Sequence, residues 1–241
     1  MRASGAIVEI GGADARKIRR VLRLRDGDEI EVIDSAGTSF AAELAIEGAC
    51  VRATLGVSTV SAERSETGVR FDVAQAVPKG QKMDYVVEKT TELGAEAILP
   101  FRCERSVARA DVGKEERWRR LAASASRQCG RVRVPHVHSI LPSFAALLER
   151  FGEYDAVAFA WELAPRIPLC EALPELLRDA SRVLLVVGPE GGFAHAESEA
   201  ARARGAALVW MGPRILRAET AAVVLLAVAD AFAQGQACGR P

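Results

Sequence analysis

An uninterrupted apolar run passes into a glycine-rich loop in the segment Leu184-Leu185-Val186-Val187-Gly188-Pro189-Glu190-Gly191-Gly192-Phe193. No polar residue alternates with the apolar ones before Gly188, which predicts a strand over residues 183–187 that is buried on both faces. Glycine allows a backbone to approach a ligand closely and to expose its N–H and C=O groups. Ligands of α/β proteins bind beyond the carboxyl ends of strands, so this loop is a predicted ligand site. An ordinary tight turn before the next predicted helix, residues 196–204, is the alternative.

A second glycine-proline loop follows the predicted strand at residues 207–211 and reads Gly212-Pro213-Arg214-Ile215-Leu216-Arg217-Ala218-Glu219-Thr220. It opens a helix, predicted over residues 219–234, that is apolar nearly all round and must be buried, in the core or against a second subunit. An arginine and a carboxylate at the mouth of such a helix are unusual as core filling, and simple capping of the helix is the alternative. Two such loops at successive strand ends predict one shared pocket.

The chain after residue 70 alternates between strand and helix. Continuous apolar strands that alternate with helices indicate an α/β fold with a mostly parallel sheet covered on both faces. Glycine follows three of the predicted helices, at Gly94, Gly205 and Gly235, as expected at helix C-termini. The further predicted strands are residues 71–77, 97–100 and 156–160, and the further predicted helices are residues 83–93 and 114–128.

Before residue 70 the pattern differs, because short β-prone runs alternate with turn signals. Residues 29–33 and 40–44 are predicted strands, and Arg25-Asp26-Gly27-Asp28 is a predicted tight turn ahead of them. Only residues 14–24 have a helical pattern here. We therefore expect a small β-rich domain over residues 1–70, with a polar linker at residues 61–68, and an α/β domain over residues 71–241.

Charge is balanced overall but unevenly distributed. The 241 residues contain 32 Lys and Arg against 32 Asp and Glu. Residues 1–25 hold seven basic and two acidic side chains, and residues 102–133 hold ten basic and four acidic ones. Two basic segments indicate a local track for a polyanion, although solvated helix faces would have the same composition.

Cysteine spacing and hydropathy narrow the class of protein. The five cysteines are scattered and form no C-x-x-C pair, so neither a disulfide framework nor a zinc site is expected, and His136 and His138 are interpreted as ordinary strand residues. The N-terminus lacks the apolar run of a signal peptide, and the longest apolar stretch, residues 221–229, is far shorter than a membrane span. A soluble cytoplasmic protein without a metal is therefore expected.

Taken together, the two loops resemble the RsmE family of 16S ribosomal RNA uracil-N3 methyltransferases. The matching residues are Gly188-Pro189-Glu190-Gly191-Gly192-Phe193 and Leu216-Arg217-Ala218-Glu219-Thr220-Ala221. Upstream, Lys82-Met83-Asp84, Thr91-Glu92-Leu93-Gly94 and Arg105-Ser106 continue the pattern. Val21-Leu22-Arg23-Leu24 followed by Gly27-Asp28 resembles the PUA-like RNA-binding domain of that family. The resemblance covers most of the chain.

The resemblance implies a methyltransferase domain of the SPOUT class with a C-terminal trefoil knot, preceded by a small PUA-like β-barrel domain. It also implies S-adenosylmethionine as cofactor, 16S ribosomal RNA of the small ribosomal subunit as substrate, and a homodimer whose cofactor pockets lie at the subunit interface. Knots are almost absent from proteins, so no residue pattern predicts one. Another SPOUT reaction, such as ribose 2′-O methylation of transfer RNA, and a non-catalytic RNA-binding role are the alternative functions.

Methylation of uracil N3 requires removal of the N3 proton, and the resemblance places that chemistry in the two loops. Arg217 is the predicted cation beside the developing uracil anion, and Glu190 or Glu219 is expected to orient it or to assist proton removal. The expected cofactor contacts are Gly188, Pro189, Glu190, Gly191, Gly192, Ile215, Leu216, Arg217 and Thr220. The expected RNA phosphate contacts are Arg19, Arg20, Arg23, Arg102, Arg105 and Arg109.

Overall fold

The strand before the glycine-rich loop, Arg182–Val187, is hydrogen-bonded on both sides to parallel strands of a six-stranded sheet. The computed structural model describes residues 5–33, 38–48, 50–60, 68–106 and 113–238. The chain divides into two units, Met1–Glu66 and Thr67–Pro241.

The first unit is a β domain with one short helical segment. Its elements are strands β1 (Ile7–Ile10), β2 (Glu29–Ile33), β3 (Ser39–Glu47) and β4 (Cys50–Val60), with helix α1 (Gly12–Arg16) and a π-helical turn (Lys17–Leu22) between β1 and β2. The strands pair antiparallel in the order β1-β4-β3-β2. On β4, Val51, Ala53 and Leu55 alternate with exposed residues and pack with Phe40 and Leu44 in a core of their own.

The second unit holds the six-stranded sheet. Its strands are β5 (Arg70–Ala76), β6 (Ala97–Phe101), β7 (His136–Val137), β8 (Ala156–Ala160), β9 (Arg182–Val187) and β10 (Ala207–Val209). All adjacent pairs are parallel, in the order β10-β8-β9-β5-β6-β7. The predicted α/β class with a mostly parallel sheet is therefore confirmed.

Helices cover both faces of this sheet. They are α2 (Lys82–Glu92), α3 (Lys114–Cys129), α4 (Phe144–Leu148), α5 (Leu169–Leu176), α6 (His195–Ala203) and α7 (Ala218–Cys238). Successive residues of β9 enter two different cores: Val183, Leu185 and Val187 belong to one, and Leu184 and Val186 belong to the other. Burial on both faces explains why this strand has no polar alternation in its sequence.

Helix α7 is a long helix that is apolar over most of its length. Residues Ala218–Gly235 are long and apolar enough by composition to cross a membrane, and 39% of them are buried within the structure. The core helix of a soluble protein has the same composition, and Leu225, Leu226 and Ala229 are indeed fully buried in the core beside α2 and β9. The opposite side of the helix, including Val224 and Val228, is only half-buried.

Several elements differ from the sequence-based predictions. Strands β1 and β4 and helices α4 and α5 were not predicted; small inward residues such as Ala53 weaken the alternating pattern of β4. The predicted helix at residues 14–24 is instead α1 followed by the π-helical turn, which ends at Arg23 in the left-handed conformation, φ 55°. The prediction that Gly235 ends the last helix is wrong, because α7 continues to Cys238. Glycine costs only about 1 kcal/mol inside a helix, which tertiary packing can offset.

A buried ion pair lies at the amino ends of β5 and β9. Asp72 is fully buried, and its Oδ2 accepts hydrogen bonds from the Tyr154 hydroxyl at 2.8 Å and from Arg182 Nη2 at 2.7 Å. The guanidinium of Arg182 also lies over the Tyr154 ring, 4.7 Å from its centroid. A buried carboxylate requires such partners, because an uncompensated charge in a protein interior is strongly destabilising.

We expect Arg182→Met to lower the free energy of unfolding by about 3 kcal/mol, because it leaves the Asp72 charge without its cation. A matched control is Arg202→Met, because Arg202 pairs with Glu199 at the same 2.7 Å but with side chains that are 66% and 42% exposed. Its expected loss is within about 0.5 kcal/mol. Urea titration of both variants measures the difference, and equal losses would contradict a structural role for the buried pair.

Candidate cofactor and RNA site

The glycine-rich loop after β9 is a closed turn whose carbonyl groups are held by other elements. The Gly192 amide donates to the Pro189 carbonyl at 2.9 Å, and Gly192 adopts a φ of 65°, which favours glycine. The Gly188 carbonyl accepts a hydrogen bond of 3.1 Å from Gln75 Nε2, and Gln75 is fully buried on β5. The loop is therefore fixed to the sheet by a side chain that sequence analysis did not select.

Each glycine of this loop is closely surrounded. A Cβ on Gly188 would lie 3.0 Å from the Phe193 ring, and a Cβ on Gly191 would lie 3.3 Å from Arg105 Cβ, so either neighbour would have to shift. A Cβ on Gly192 would lie 2.6 Å from Glu162 Oε1, and the positive φ of Gly192 also favours glycine. Glycine therefore suits this loop for packing as well as for ligand approach.

Lys82 joins the two glycine-proline loops. Its Nζ lies 2.8 Å from Glu190 Oε1 in the first loop and 3.6 Å from Glu219 Oε2 at the start of α7. The Lys79 amide also donates to Glu190 Oε1, at 3.1 Å. The two loops are thus joined through one cation, which comes from α2, whereas their shared pocket stays a prediction.

This ion pair sets the protonation of its members. The hydrogen bond to Glu190 raises the pKa of Lys82 above its ordinary value, so the ammonium stays charged. Burial alone would raise the pKa of Glu190, but the hydrogen bond from Lys82 and backbone amides outweighs it, and the pKa lies below its usual range. Glu190 is therefore a stable carboxylate and a weak proton acceptor.

The side chains of the second loop differ from one another in their exposure. The side chains of Ile215 and Arg217 are exposed, whereas Leu216, Glu219 and Thr220 are half-buried. The Arg217 carbonyl accepts the Ala221 amide at 2.8 Å, which begins the hydrogen bonding of α7. Glu219 Oε2 is buried and has no hydrogen-bond partner in the described part of the chain, apart from its charge interaction with Lys82.

A short turn after β6 supports the glycine-rich loop from the other side. Arg105 Nη1 donates to the Gly191 carbonyl at 3.0 Å. The Glu104 amide donates to Glu197 Oε1 at 2.9 Å, and Glu197 Oε2 accepts the Ala194 amide at the start of α6. Acidic residues in the first turn of a helix favour such capping, which is the signal in the sequence that points to Glu197.

The predicted RNA-binding arginines occur in both units. Arg19, Arg20 and Arg23 are exposed on the π-helical turn and at its end, and Arg102 is exposed after β6. Arg105 is also exposed, and Arg109 lies outside the described residues. The exposed apolar residues Val21 and Leu22 lie between the first three arginines.

The three histidines lie at two places in the second unit. His136 and His138 lie at β7 with ring centroids 4.3 Å apart, and burial lowers the pKa of His138 to about 4, so that it is neutral at pH 7. His195 is exposed and contacts the Trp161 ring edge-on. Across the ranges that the structure covers, no three His, Cys, Asp or Glu side chains are grouped to hold a metal ion.

Comparison with known proteins connects this geometry to a family. Residues 65–230 match the family model of the RNA methyltransferase domain. The chain is 34% identical over 224 residues to ribosomal RNA small subunit methyltransferase E of Bacillus subtilis, covering 90% of this chain and 87% of that protein. It is 33% identical over 230 residues to the protein of the same name from Mycobacterium tuberculosis, covering 92% and 86%.

A solved structure resembles the fold closely. The crystal structure of ribosomal RNA small subunit methyltransferase E from Neisseria gonorrhoeae, bound to S-adenosylmethionine, superposes with a TM-score of 0.85 at 27% identity and covers 96% of this chain and 94% of that one. The parallel sheet, its glycine-rich loop and the matched domain thus define an RNA methyltransferase. Within that class, the chain belongs to the RsmE family, the ribosomal RNA small subunit methyltransferases E.

We expect Lys82→Met to weaken binding of S-adenosylmethionine, the ligand of the gonococcal structure, by about tenfold (about 1.4 kcal/mol) because both loops lose their shared cation. Lys89→Met is a matched control: Lys89 also lies between two carboxylates, Glu88 at 2.7 Å and Glu92 at 2.8 Å, with similar exposure, but all three are on α2. Its affinity should stay within about twofold of the wild type. Calorimetric titration measures both constants, and equal losses would show that Lys82 has no special role.

Proposed function

We propose that the protein transfers a methyl group from S-adenosylmethionine to N3 of a uridine in 16S ribosomal RNA of the small ribosomal subunit. The observation that carries the proposal is the meeting of the two glycine-proline loops through Lys82, at the carboxyl edge of a parallel sheet. Support comes from membership of the RsmE family and from the cofactor of the gonococcal relative.

The residues of the first loop fit a cofactor with a polar, extended shape. Gly188, Gly191 and Gly192 carry no side chain, so a ligand can approach the backbone of this loop closely. The cofactor would be held by the backbone of Gly188, Pro189, Glu190, Gly191 and Gly192 and by that of Ile215, Leu216, Arg217 and Thr220. S-adenosylmethionine supplies the reactive methyl group when it is bound.

The residues of this chain then handle the uracil. N3 lies on the Watson–Crick edge of the base, so the target must be unpaired or extruded. We assign Arg217, which is exposed at the mouth of α7, as the cation that stabilises the developing uracil anion. Glu219 Oε2 is buried and accepts no hydrogen bond within the described residues, although Lys82 lies 3.6 Å away, and it is our choice for proton removal; Glu190, ion-paired with Lys82, orients the site.

We propose that exposed arginines in both units bind the RNA. Arg19, Arg20 and Arg23 belong to the first unit, which we propose is a PUA-like RNA-binding domain over residues 1–70; its four-stranded sheet with a core of its own supports this. Arg102, Arg105 and Arg109 are the proposed phosphate contacts of the second unit. Guanidinium groups match the geometry of phosphate and release counterions from RNA when they bind.

For residues 71–241 we propose the SPOUT architecture with a C-terminal trefoil knot. The sheet order supports it, because β9 lies between β8 and β5, two strands that precede it in the chain. We also propose that the protein acts in the cytoplasm, where its ribosomal substrate is found.

Nucleoside analysis of ribosomal RNA tests the proposed reaction. Cells that lack the gene should lack one N3-methyluridine in 16S ribosomal RNA, and the wild-type gene should restore it. If the cells without the gene instead lack a 2′-O-methylnucleoside, the proposed reaction is contradicted.

Arg217→Ala should slow single-turnover methylation by about 10²-fold, because the charge of the transition state is no longer compensated, while RNA affinity changes little. A normal rate for Arg217→Ala would contradict the assignment of Arg217.

We further propose that α7 forms a homodimer interface through its half-buried side. Val224→Glu should then yield a monomer, because it introduces a charge at an apolar interface, whereas Leu225→Glu should unfold the chain, since Leu225 is fully buried in the core. Light scattering of the wild type and of Val224→Glu measures the mass. A wild-type monomer, or a Val224→Glu dimer of unchanged stability, would contradict this interface.

A further inference from the structure

Three side chains hold the glycine-rich loop at successive points, and one of them differs from the other two. Gln75 is fully buried, and Lys82 is ion-paired with two carboxylates, so both are committed to the protein. Arg105 is exposed, and within the described residues its guanidinium makes one hydrogen bond, to the Gly191 carbonyl at 3.0 Å. A guanidinium has five N–H donors in a planar fork, so most of its donors remain available to a ligand.

The backbone that carries Arg105 is firmly held. The turn is closed by the Ser106 amide, which donates to the Cys103 carbonyl at 3.0 Å, and by the Cys103 amide, which donates to Ser106 Oγ at 3.0 Å. Glu104 fixes the same turn to the buried carboxylate of Glu197 at the start of α6. The base of the Arg105 side chain is therefore fixed against the loop, and only its outer part is free to change partners.

We propose that Arg105 is a positioning residue that couples the binding of RNA to the binding of the cofactor, by holding the Gly191 carbonyl with one N–H and an RNA phosphate with the others. This inference rests on the proposed function. In the free protein, an exposed arginine must lose side-chain entropy to make its single bond to Gly191. A phosphate that engages the fork immobilises the same side chain, so the loop is held at no further entropic cost.

Thermodynamic linkage makes the effect reciprocal. If RNA strengthens cofactor binding by a given factor, the cofactor strengthens RNA binding by the same factor. For a coupling of ordinary size we expect an enhancement of about five- to tenfold in the wild type. A residue that only supports the loop would change cofactor affinity by the same factor with and without RNA, which separates coupling from a merely structural role.

The test measures binding of radiolabelled S-adenosylhomocysteine, which has no methyl group to transfer, by equilibrium dialysis. The protein is used alone and with saturating small ribosomal subunits that lack the modification. Arg105→Met should bind the labelled compound within about threefold of the wild type when alone, and subunits should no longer enhance its binding. Arg105→Gln is a second variant, because it keeps an N–H donor but loses the charge that attracts phosphate, and it should lose the enhancement as well.

Arg178→Met is the matched control, because Arg178 is an exposed arginine of the same unit that is not among the proposed RNA contacts and whose side chain has no described contact with the loop. It should keep the full enhancement once subunits are saturating. Retention of the enhancement in Arg105→Met, or an equal loss of affinity with and without subunits, would overturn the proposal. Wild-type protein that does not cosediment with subunits would overturn the proposed function too, whereas binding of both ligands without enhancement would overturn the coupling alone.

Discussion

The burial of β9 on both faces is the constraint on which the rest of the second unit depends. Its side chains alternate between two hydrophobic cores, so the strand must lie inside the sheet, hydrogen-bonded to β8 on one side and β5 on the other. An inner parallel strand delivers the loop at its carboxyl end between the loops of its neighbours. The position of the glycine-rich loop beside residues of β5, α2 and α7 follows from this placement.

The two ends of β9 have different surroundings. At its amino end, Arg182 neutralises the buried carboxylate of Asp72, at the sheet edge opposite to the glycine-rich loop. At its carboxyl end, three of the five loop residues are glycines, and the backbone is held by partners from other elements. Because the sheet is held rigidly at the amino end of β9, the loop at its carboxyl end can present exposed backbone groups to a ligand.

At the candidate site, one lysine, Lys82, interacts with two carboxylates. Lys82 holds Glu190 ionised and lies 3.6 Å from Glu219, so the two glutamates are not equivalent. Two carboxylates in different surroundings can take different chemical roles, one orienting and one accepting a proton. The cluster also holds together two loops that are separated in sequence, since the cation between them disfavours their separation.

The sequence by itself determined the class of fold and the family, whereas the location of the site stays a prediction. The apolar run before Gly188, the glycine-proline loops and the helix after Glu219 are local patterns, and each reflects burial or backbone freedom that a chain encodes at short range. The RsmE resemblance also came from these residues, and the comparisons bear it out. Strand β4 was not predicted, because small inward residues weaken its alternation of apolar and polar residues. The π-helical turn was not predicted, because it departs from the regular helical period.

Only the tertiary structure decided which side chains hold the site. Gln75, Lys82 and Arg105 lie 113, 108 and 86 positions from Gly188, Glu190 and Gly191, the loop residues that they contact. No local pattern encodes such partners, because the contacts exist only once parallel strands have brought their carboxyl ends to one edge. The same holds for α7, whose uniform apolar sequence conceals which side enters the core; packing buries Leu225 and leaves Val224 half-exposed.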